Sequence, residues 1–339
     1  MTYDATDSRH KYTEIEQCRI CQNPNLIKIL SLGNQHITNY VDEKFVLSDD
    51  DRVPLNLVLC PENSGGCGLL QSKHTTSPEL LYKEYWFRSG LNESLKSALR
   101  DITLNIEKMS TLNHEDLVLD IGCNDGSLLR SYDVDVIKVG FEPATNLIDE
   151  AKVGTDFIIN DFFNSNKFIE NFPGKKCKAI TSIAMFYDLD DPNEFVKNIV
   201  DCLHSNGIWI IQMAYVVPML KLNGFDNIGH EHLEYYSVKT LNKLIEKHGL
   251  KIFHVEKNDL YGGSIRAYIT HKNNNEISTS PSIQNIIQEE DTLNLDDMAI
   301  YNEFADRVNT IKEKLQKFIS KEVNDGKTVY VYGASTKGN

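Results

Sequence analysis

Two groups of side chains in this chain are suited to chemistry: four cysteines near the N-terminus and a His-Glu-His triplet further on. Cys18-x-x-Cys21 has knuckle spacing, and Cys60 and Cys67 follow with six residues between them. Four thiolates suit a closed, tetrahedral, structural Zn²⁺. The second pair is wider than a knuckle, and Gly65 and Gly66 give that loop the backbone freedom to fold back. The competing reading is four ordinary buried cysteines. A redox pair fits less well, because Cys18-x-x-Cys21 does not lie between a strand and a helix. Cys123, Cys177 and Cys202 fall on apolar elements and read as packing residues.

The triplet is His230-Glu231-His232. An imidazole titrates near neutral pH and is the usual general base, and a carboxylate beside it can set its tautomer. The two histidines are two residues apart in a predicted loop, so they do not match the His-Glu-x-x-His of zinc peptidases. The competing reading is a packing segment ahead of a helix at 238–248.

A third element prepares a ligand site. In Val118-Leu119-Asp120-Ile121-Gly122-Cys123-Asn124-Asp125-Gly126-Ser127-Leu128-Leu129 an apolar strand runs into an acid and a glycine turn. Glycine serves where backbone turns sharply or lets a ligand come close. The carboxyl end of a parallel strand is where doubly wound sheets bind ligands. Position 120 is not glycine, so this is not the dinucleotide fingerprint. Glu142 comes about 20 residues after Gly122, where an acid can accept two ribose hydroxyls. Asp161 follows the third predicted strand.

These residues need a scaffold. Strands are predicted at 117–122, 136–141, 155–159, 178–183 and 207–213, and helices at 125–132, 144–152 and 192–204. Pro192 suits a first helical turn. The helix at 238–248 has Ser237 as N-cap and Gly249 just past its end. Strands at 250–257 and 263–271 follow as an antiparallel pair. Residues 78–110 read as helix. Residues 1–14 are polar and read as mobile. A polar linker spans 272–282. Beyond it Ile300, Phe304, Val308, Ile311, Leu315 and Phe318 step at helical spacing. The last residues, from Thr328, read as a strand entering a glycine-rich turn, a βα unit that stops at its turn.

Composition narrows the function. The chain has 339 residues, a net charge of −14 and a hydrophobic fraction of 41%. That acidity argues against a nucleic-acid surface and against docking on anionic lipid. No apolar run reaches the roughly 18 residues of a membrane span, and the N-terminus lacks the apolar core of a signal peptide. The expectation is a cytoplasmic protein with reduced cysteines.

The stretch Val118–Leu129 resembles the first motif of class I S-adenosylmethionine (SAM) methyltransferases, and five βα units ending in an antiparallel hairpin resemble their fold. That resemblance implies SAM held by Asp120, Gly122, Asn124, Gly126, Glu142 and Asp161. Asp120 would lie at the methionine amino group, Glu142 at the ribose and Asp161 at the adenine amine. More of the chain, from about residue 15 to 339, resembles the three-domain sugar C-methyltransferases. The residues that carry this are the cysteine knuckle, Tyr85-Trp86-Phe87-Arg88-Ser89, His230-Glu231-His232, Gly262-Gly263-Ser264-x-Arg266 and the final Tyr332-Gly333-Ala334-Ser335-Thr336-Lys337-Gly338-Asn339.

The resemblance implies a zinc-binding domain at 1–77 and a SAM-binding domain at 78–272 that begins with a linking helix at 78–110. It implies the start of a C-terminal Rossmann-like region at 283–339, cut short. The fold class expected is α/β, a class I methyltransferase Rossmann-like sheet with these two attachments. Substrates of the family are nucleotide-linked 4-keto-6-deoxy sugars. His232 is the implied base, assisted by Glu231 and Tyr85; His230, Tyr85 or Tyr236 could donate to an enolate oxygen. The chain has Gly229 where some relatives have Tyr, and Phe186-Tyr187-Asp188 where some have His. Those departures bear on the sugar and its contacts more than on the reaction class. The rival readings are an O- or N-methyltransferase acting on another small molecule, and an inactive SAM- and zinc-binding scaffold. The sequence does not fix the oligomeric state.

Overall fold

The structure, a computed structural model, describes residues 12–37, 48 and 52–330. Its first strands are β1 (Tyr12–Glu14), β2 (Ile27–His36), β3 (Arg52–Leu59), β4 (Leu70–Ser72) and β5 (His74–Thr76). Helices α1 (Pro78–Tyr82) and α2 (Glu93–Met109) follow, then β6 (Leu117–Ile121), β7 (Ile137–Phe141), α3 (Ile148–Ala151) and β8 (Phe157–Ile159). Next come α4 (Ser165–Asn171), β9 (Cys177–Ile183), α5 (Pro192–Cys202), β10 (Leu203–Ala214) and α6 (Val216–Leu222). The chain continues through β11 (Glu234–Tyr235), α7 (Val238–Lys247), β12 (Leu250–Asn258), β13 (Ser264–His271), α8 (Ser282–Thr292) and α9 (Met298–Asn324).

The elements group into two compact units, and each is discontinuous in sequence. One holds residues 78–214 and 238–287; the other holds 1–77, 215–237 and 288–339.

The larger unit is a seven-stranded sheet in the order β12-β13-β10-β9-β6-β7-β8. The five strands from β10 to β8 are parallel, while β13 runs antiparallel to both β10 and β12. The order reverses at β6, which lies between β7 and β9, so the carboxyl end of β6 is the crevice where such a sheet takes its ligand. On one face α2 buries Leu99, Ile102 and Ile106 against Val118, Ala179, Ile210 and Tyr268. Each of these aliphatic side chains contributes on the order of 1.5–3 kcal/mol by leaving water. Elsewhere in the unit, Phe141, Phe163, Phe195, Phe186 and Trp209 pack ring edge against ring face. The α/β class I sheet expected from the sequence is the fold observed.

Several elements depart from the sequence reading. Residues 78–110 are not one helix. Asn92 accepts a hydrogen bond from the Leu95 amide and starts α2 afresh, so 83–92 is an irregular strap between two helices. The helix expected at 125–132 is reduced to one short turn, Leu129–Ser131. Asn124 and Gly126 both hold positive φ, at 53° and 78°, and a right-handed helix cannot run through them. The helix expected at 144–152 is likewise a short turn followed by α3. Gly249, just past α7, has the left-handed φ of 73° expected of a helix stop.

The smaller unit is a four-stranded antiparallel sheet, β11-β4-β3-β2, beside a β1–β5 pair. Val53, Leu55 and Leu57 alternate inward along β3. The helical stripe predicted beyond residue 300 lies on α9. Its first part, with Tyr301, Phe304 and Val308, is buried, whereas Ile311, Leu315 and Phe318 are exposed. Arg307 ties α9 to the end of α6 by bonds to Asn223 Oδ1 and Leu220 O. Residues 328–330 have no regular structure, and the rest of the expected strand and its glycine-rich turn lie outside the described residues. The first residues of the polar N-terminal stretch do too. Among the described residues, no helix is long and apolar enough to cross a membrane.

Candidate functional site

The four N-terminal cysteines come together. Sγ of Cys18 is 3.5 Å from that of Cys67, and Cys21 is 3.5 Å from Cys60. All four sulfurs lie within 4.8 Å of one another. A tetrahedral Zn²⁺ with bonds of about 2.3 Å holds its sulfurs roughly 3.8 Å apart, so the set fits that ion. The six-residue loop folds back as its glycines permit. Gly65 has φ 77°, and a Cβ on Gly66 would fall 2.6 Å from Cys60 Sγ. The Gly68 amide then donates to Cys60 O at 2.8 Å. The thiols perturb one another. Hydrogen bonds from Cys18, Cys60 and Cys67 hold Cys21 low, while Cys18, Cys21 and Cys60 push Cys67 up. A divalent cation that binds all four as thiolates would resolve that competition. Cys123, Cys177 and Cys202 are elsewhere in the chain, buried, and raised by burial, as packing thiols are.

The His-Glu-His loop belongs to the same unit as the cysteines. It leads into β11, which pairs with β4, and Leu233 O accepts the Ser72 amide at 2.8 Å. His230 is buried with Nε2 3.2 Å from Val53 O on β3, and burial lowers its pKa. His232 is only half-buried, and its Nδ1 lies 2.6 Å from Asn227 O. A carbonyl can only accept, so Nδ1 carries the proton and Nε2 is the ring's basic nitrogen. Tyr236 is fully buried and donates to Glu234 at 2.9 Å. Of the three donors considered from sequence, His230 and Tyr236 are thus held inside this unit, while Tyr85 is exposed.

The SAM-motif residues gather at the carboxyl edge of the larger sheet. Asp120 is the penultimate residue of the buried β6 and accepts from Thr181 Oγ1 at 2.6 Å. Burial pushes its carboxyl up to about 7. Gly122, at φ 70°, and Asn124, at φ 53°, carry the turn. Glu142 is buried just past β7. Its two oxygens accept the amides of Asn124 at 2.7 Å and Ala144 at 2.8 Å, and burial raises its pKa too. Neither acid meets a Lys or Arg among the described residues. Two buried carboxylates lacking a cation suit a ligand that brings an ammonium and a diol, as SAM does. Asp161 is half-exposed, accepts the Phe162 amide and is ion-paired with Lys167.

Sequence reasoning missed Thr181, whose hydroxyl orients Asp120, and it missed what Asn124 and Asp125 do with their side chains. Asn124 accepts the Ser89 amide and donates to Phe87 O, both at 2.9 Å. Asp125 accepts the Gly90 amide at 2.6 Å. The available signal was the polar Asn-Asp pair inside a turn otherwise built of small residues. Ala184, just past β9, holds φ 54°, which is uncommon for a residue with a side chain and marks this sheet edge as strained.

Three family models match the chain in succession: a zinc binding domain over residues 18–82, a methyltransferase domain over 92–255 and a C-methyltransferase C-terminal domain over 259–339. Among curated proteins, C-methyltransferase NovU of Streptomyces niveus is 27% identical over 337 residues, covering 96% of this chain and 77% of that protein. Magnesium protoporphyrin IX methyltransferase from Synechocystis has a TM-score of 0.42 at 12% identity, over 53% of this chain and 88% of its own. The N-methyltransferase NodS from Bradyrhizobium japonicum has a TM-score of 0.38 at 14% identity, over 51% and 95%.

Proposed function

We propose that this chain, a SAM-dependent methyltransferase, acts like the sugar C-methyltransferases it resembles and methylates C3 of a nucleotide-linked 4-keto-6-deoxy sugar. The observation that carries this reading is the hydrogen bond from His232 Nδ1 to Asn227 O, which makes Nε2 a base. His232 is also the base that the family resemblance implies. A proton on carbon beside a ketone is acidic enough for an imidazole to remove, because the enolate spreads its charge onto oxygen.

His232 Nε2 takes the C3 proton, and the C–H electron pair becomes the C3=C4 bond of the enolate. SAM, when bound, would supply an activated methyl group for transfer to C3, with S-adenosylhomocysteine as the product left behind. Glu231, next in the loop, favours the imidazolium that forms. Tyr85 donates to the enolate oxygen, a position where a placed donor is worth several kcal/mol. Asp120 holds the methionine ammonium, Glu142 the ribose hydroxyls and Asp161 the adenine amine, with Gly122, Asn124 and Gly126 shaping the turn. The four thiolates hold Zn²⁺ as a structural ion, closed to substrate.

The experiment is incubation with SAM and a panel of 4-keto-6-deoxy nucleotide sugars, followed by NMR of the product. A new quaternary carbon bearing a methyl group is the expected result. A methoxy signal would make the protein an O-methyltransferase, and no turnover with any sugar of the panel would overturn the substrate class.

A further inference from the structure

The segment between α1 and α2 is held along the carboxyl edge of the sheet by side chains, not by a strand ladder. Thr145, just past β7, bonds Lys83 O through its amide at 3.0 Å and through its hydroxyl at 3.2 Å. Asn146 forms a reciprocal pair with Tyr85: its Oδ1 accepts the Tyr85 amide at 3.0 Å, and its Nδ2 donates to Tyr85 O at 2.9 Å. Arg88 reaches Glu150 on α3 with its Nε 2.9 and 3.0 Å from the two carboxylate oxygens. Asn124 makes the second reciprocal set, to Phe87 O and the Ser89 amide, and Asp125 takes the Gly90 amide. A Cβ on Gly90 would fall 2.7 Å from Ser127 Oγ and 2.8 Å from Asp125 Oδ2, so the strap passes close against these two side chains. Two asparagine amides therefore copy the donor and acceptor pattern of a neighbouring strand.

Asn124 links this strap to the cofactor acid. Its backbone amide is held by Glu142 while its side chain grips the strap. A ligand that engages Glu142 acts on the same residue that seats the strap. The strap itself presents Tyr85, Trp86 and Phe87 to solvent, an unusual exposure of apolar surface on a segment so firmly tied.

We propose that Asn124, Asp125 and Asn146 are positioning residues that clamp the 83–90 strap at the SAM edge, and that filling the SAM site and seating the strap are coupled. Occupancy of the SAM site then stabilises the seated strap and restricts the excursions of its aromatic residues.

The chain has two tryptophans, and they make the test direct. Trp86 is 52% exposed on the strap, and Trp209 is fully buried. Acrylamide quenching of the whole protein therefore reads Trp86. S-adenosylhomocysteine at saturation is expected to reduce the quenching, and Trp86→Phe should abolish the change. Asn124→Gly keeps the left-handed backbone and removes only the side-chain clamp. It should leave Trp86 accessible with or without the ligand and raise the KM for SAM about ten-fold, with kcat falling less, since two hydrogen bonds of ordinary strength are lost. Asn146→Ala, outside the glycine turn, provides the same readout if Asn124→Gly does not fold. Wild-type quenching that ignores S-adenosylhomocysteine overturns the proposal. So does a clamp variant that retains wild-type protection and wild-type KM.

Discussion

The two units reach their chemistry by opposite routes. At the SAM edge, Asp120 to Gly126 are consecutive, and Glu142 and Asp161 follow the next two strands in order. One local motif and one topological rule assemble that site. In the smaller unit the cysteines come from two separated loops, and the His-Glu-His loop arrives from residues 229–233, after five strands of the other unit. Long-range contacts dock it on the sheet: the two-residue strand β11 on β4, His230 on Val53 and Leu233 on Ser72. A site built from neighbours in sequence tolerates the loss of one contact. A site built from distant segments depends on whatever folds the segments together, and here that is the β3–β4 pair, whose connecting loop carries Cys60 and Cys67. Zinc bound there would brace the β3–β4 pair on which the His-Glu-His loop is docked, without touching substrate.

The largest effect should therefore come from Cys60→Ser. Structural zinc binding is folding free energy, of order 10–16 kcal/mol in small domains, so losing one ligand should unfold much of this unit. Metal analysis should fall from one Zn²⁺ per chain to well below it, and turnover should vanish, while calorimetry still detects S-adenosylhomocysteine. If native protein carries no zinc, or if the variant loses ligand binding together with turnover, the separation between the units is wrong.

His232→Asn should be next. General-base catalysis contributes about 10²–10⁴-fold, so kcat should fall by that factor with ligand affinity unchanged. Exchange of the sugar C3 proton with solvent deuterium, measured without methyl transfer, should disappear as well. His230→Asn should cost less in catalysis and more in thermal stability, because His230 is bonded to β3. Wild-type exchange in the His232 variant would move the base elsewhere.

Much of this contrast could be read from the sequence, and the parts that could not have physical reasons. The larger sheet follows from apolar runs alternating with helical spacing, and its site from a glycine turn taken together with the strand order, Glu142 and Asp161. The cysteine cluster follows from residue type alone, because reduced thiols in two close pairs have few other roles. The strap at 83–90 was hidden because Tyr82, Trp86 and Leu91 to Leu99 keep an apolar spacing that a helix would also have. The break is made by Asn124, Asp125 and Asn146, which lie 35 to 61 residues further on. The grouping of 215–237 with 1–77 was equally silent, since β11 is two residues long and has no period to detect. Local pattern shows elements; it does not show which distant side chain will interrupt or capture them.

Glu142→Ala should weaken S-adenosylhomocysteine binding by roughly 1.5–3 kcal/mol, the scale of hydrogen bonds to a charged group. The amides of Asn124 and Ala144 lose their acceptor in that variant, so the melting temperature must be read beside the affinity. Unchanged affinity would remove Glu142 from the ribose site.

The smallest effect is also the one that sets the two units most directly against each other. Burial moves Asp120 upward, to about 7, and moves His230 and His74 downward. The signs are opposite in consequence. For the histidines, the unfolded value of about 6.5 lies above the folded one, so their contribution to stability is present above that pH and is lost as the pH falls through the folded value. For Asp120, the folded value exceeds the unfolded value of about 3.9, so its contribution is present at low pH and is lost as the pH rises through about 7. An ammonium placed beside Asp120 favours the carboxylate, so SAM binding below pH 7 must expel a proton. Affinity should rise by at most about ten-fold per pH unit on approaching 7 and level off above it. Calorimetry at pH 6 in two buffers of different ionisation enthalpy should count close to one proton released in the wild type and none in Asp120→Asn. Zero release in the wild type would mean that the buried acid at the end of β6 does not face the cofactor's amino group.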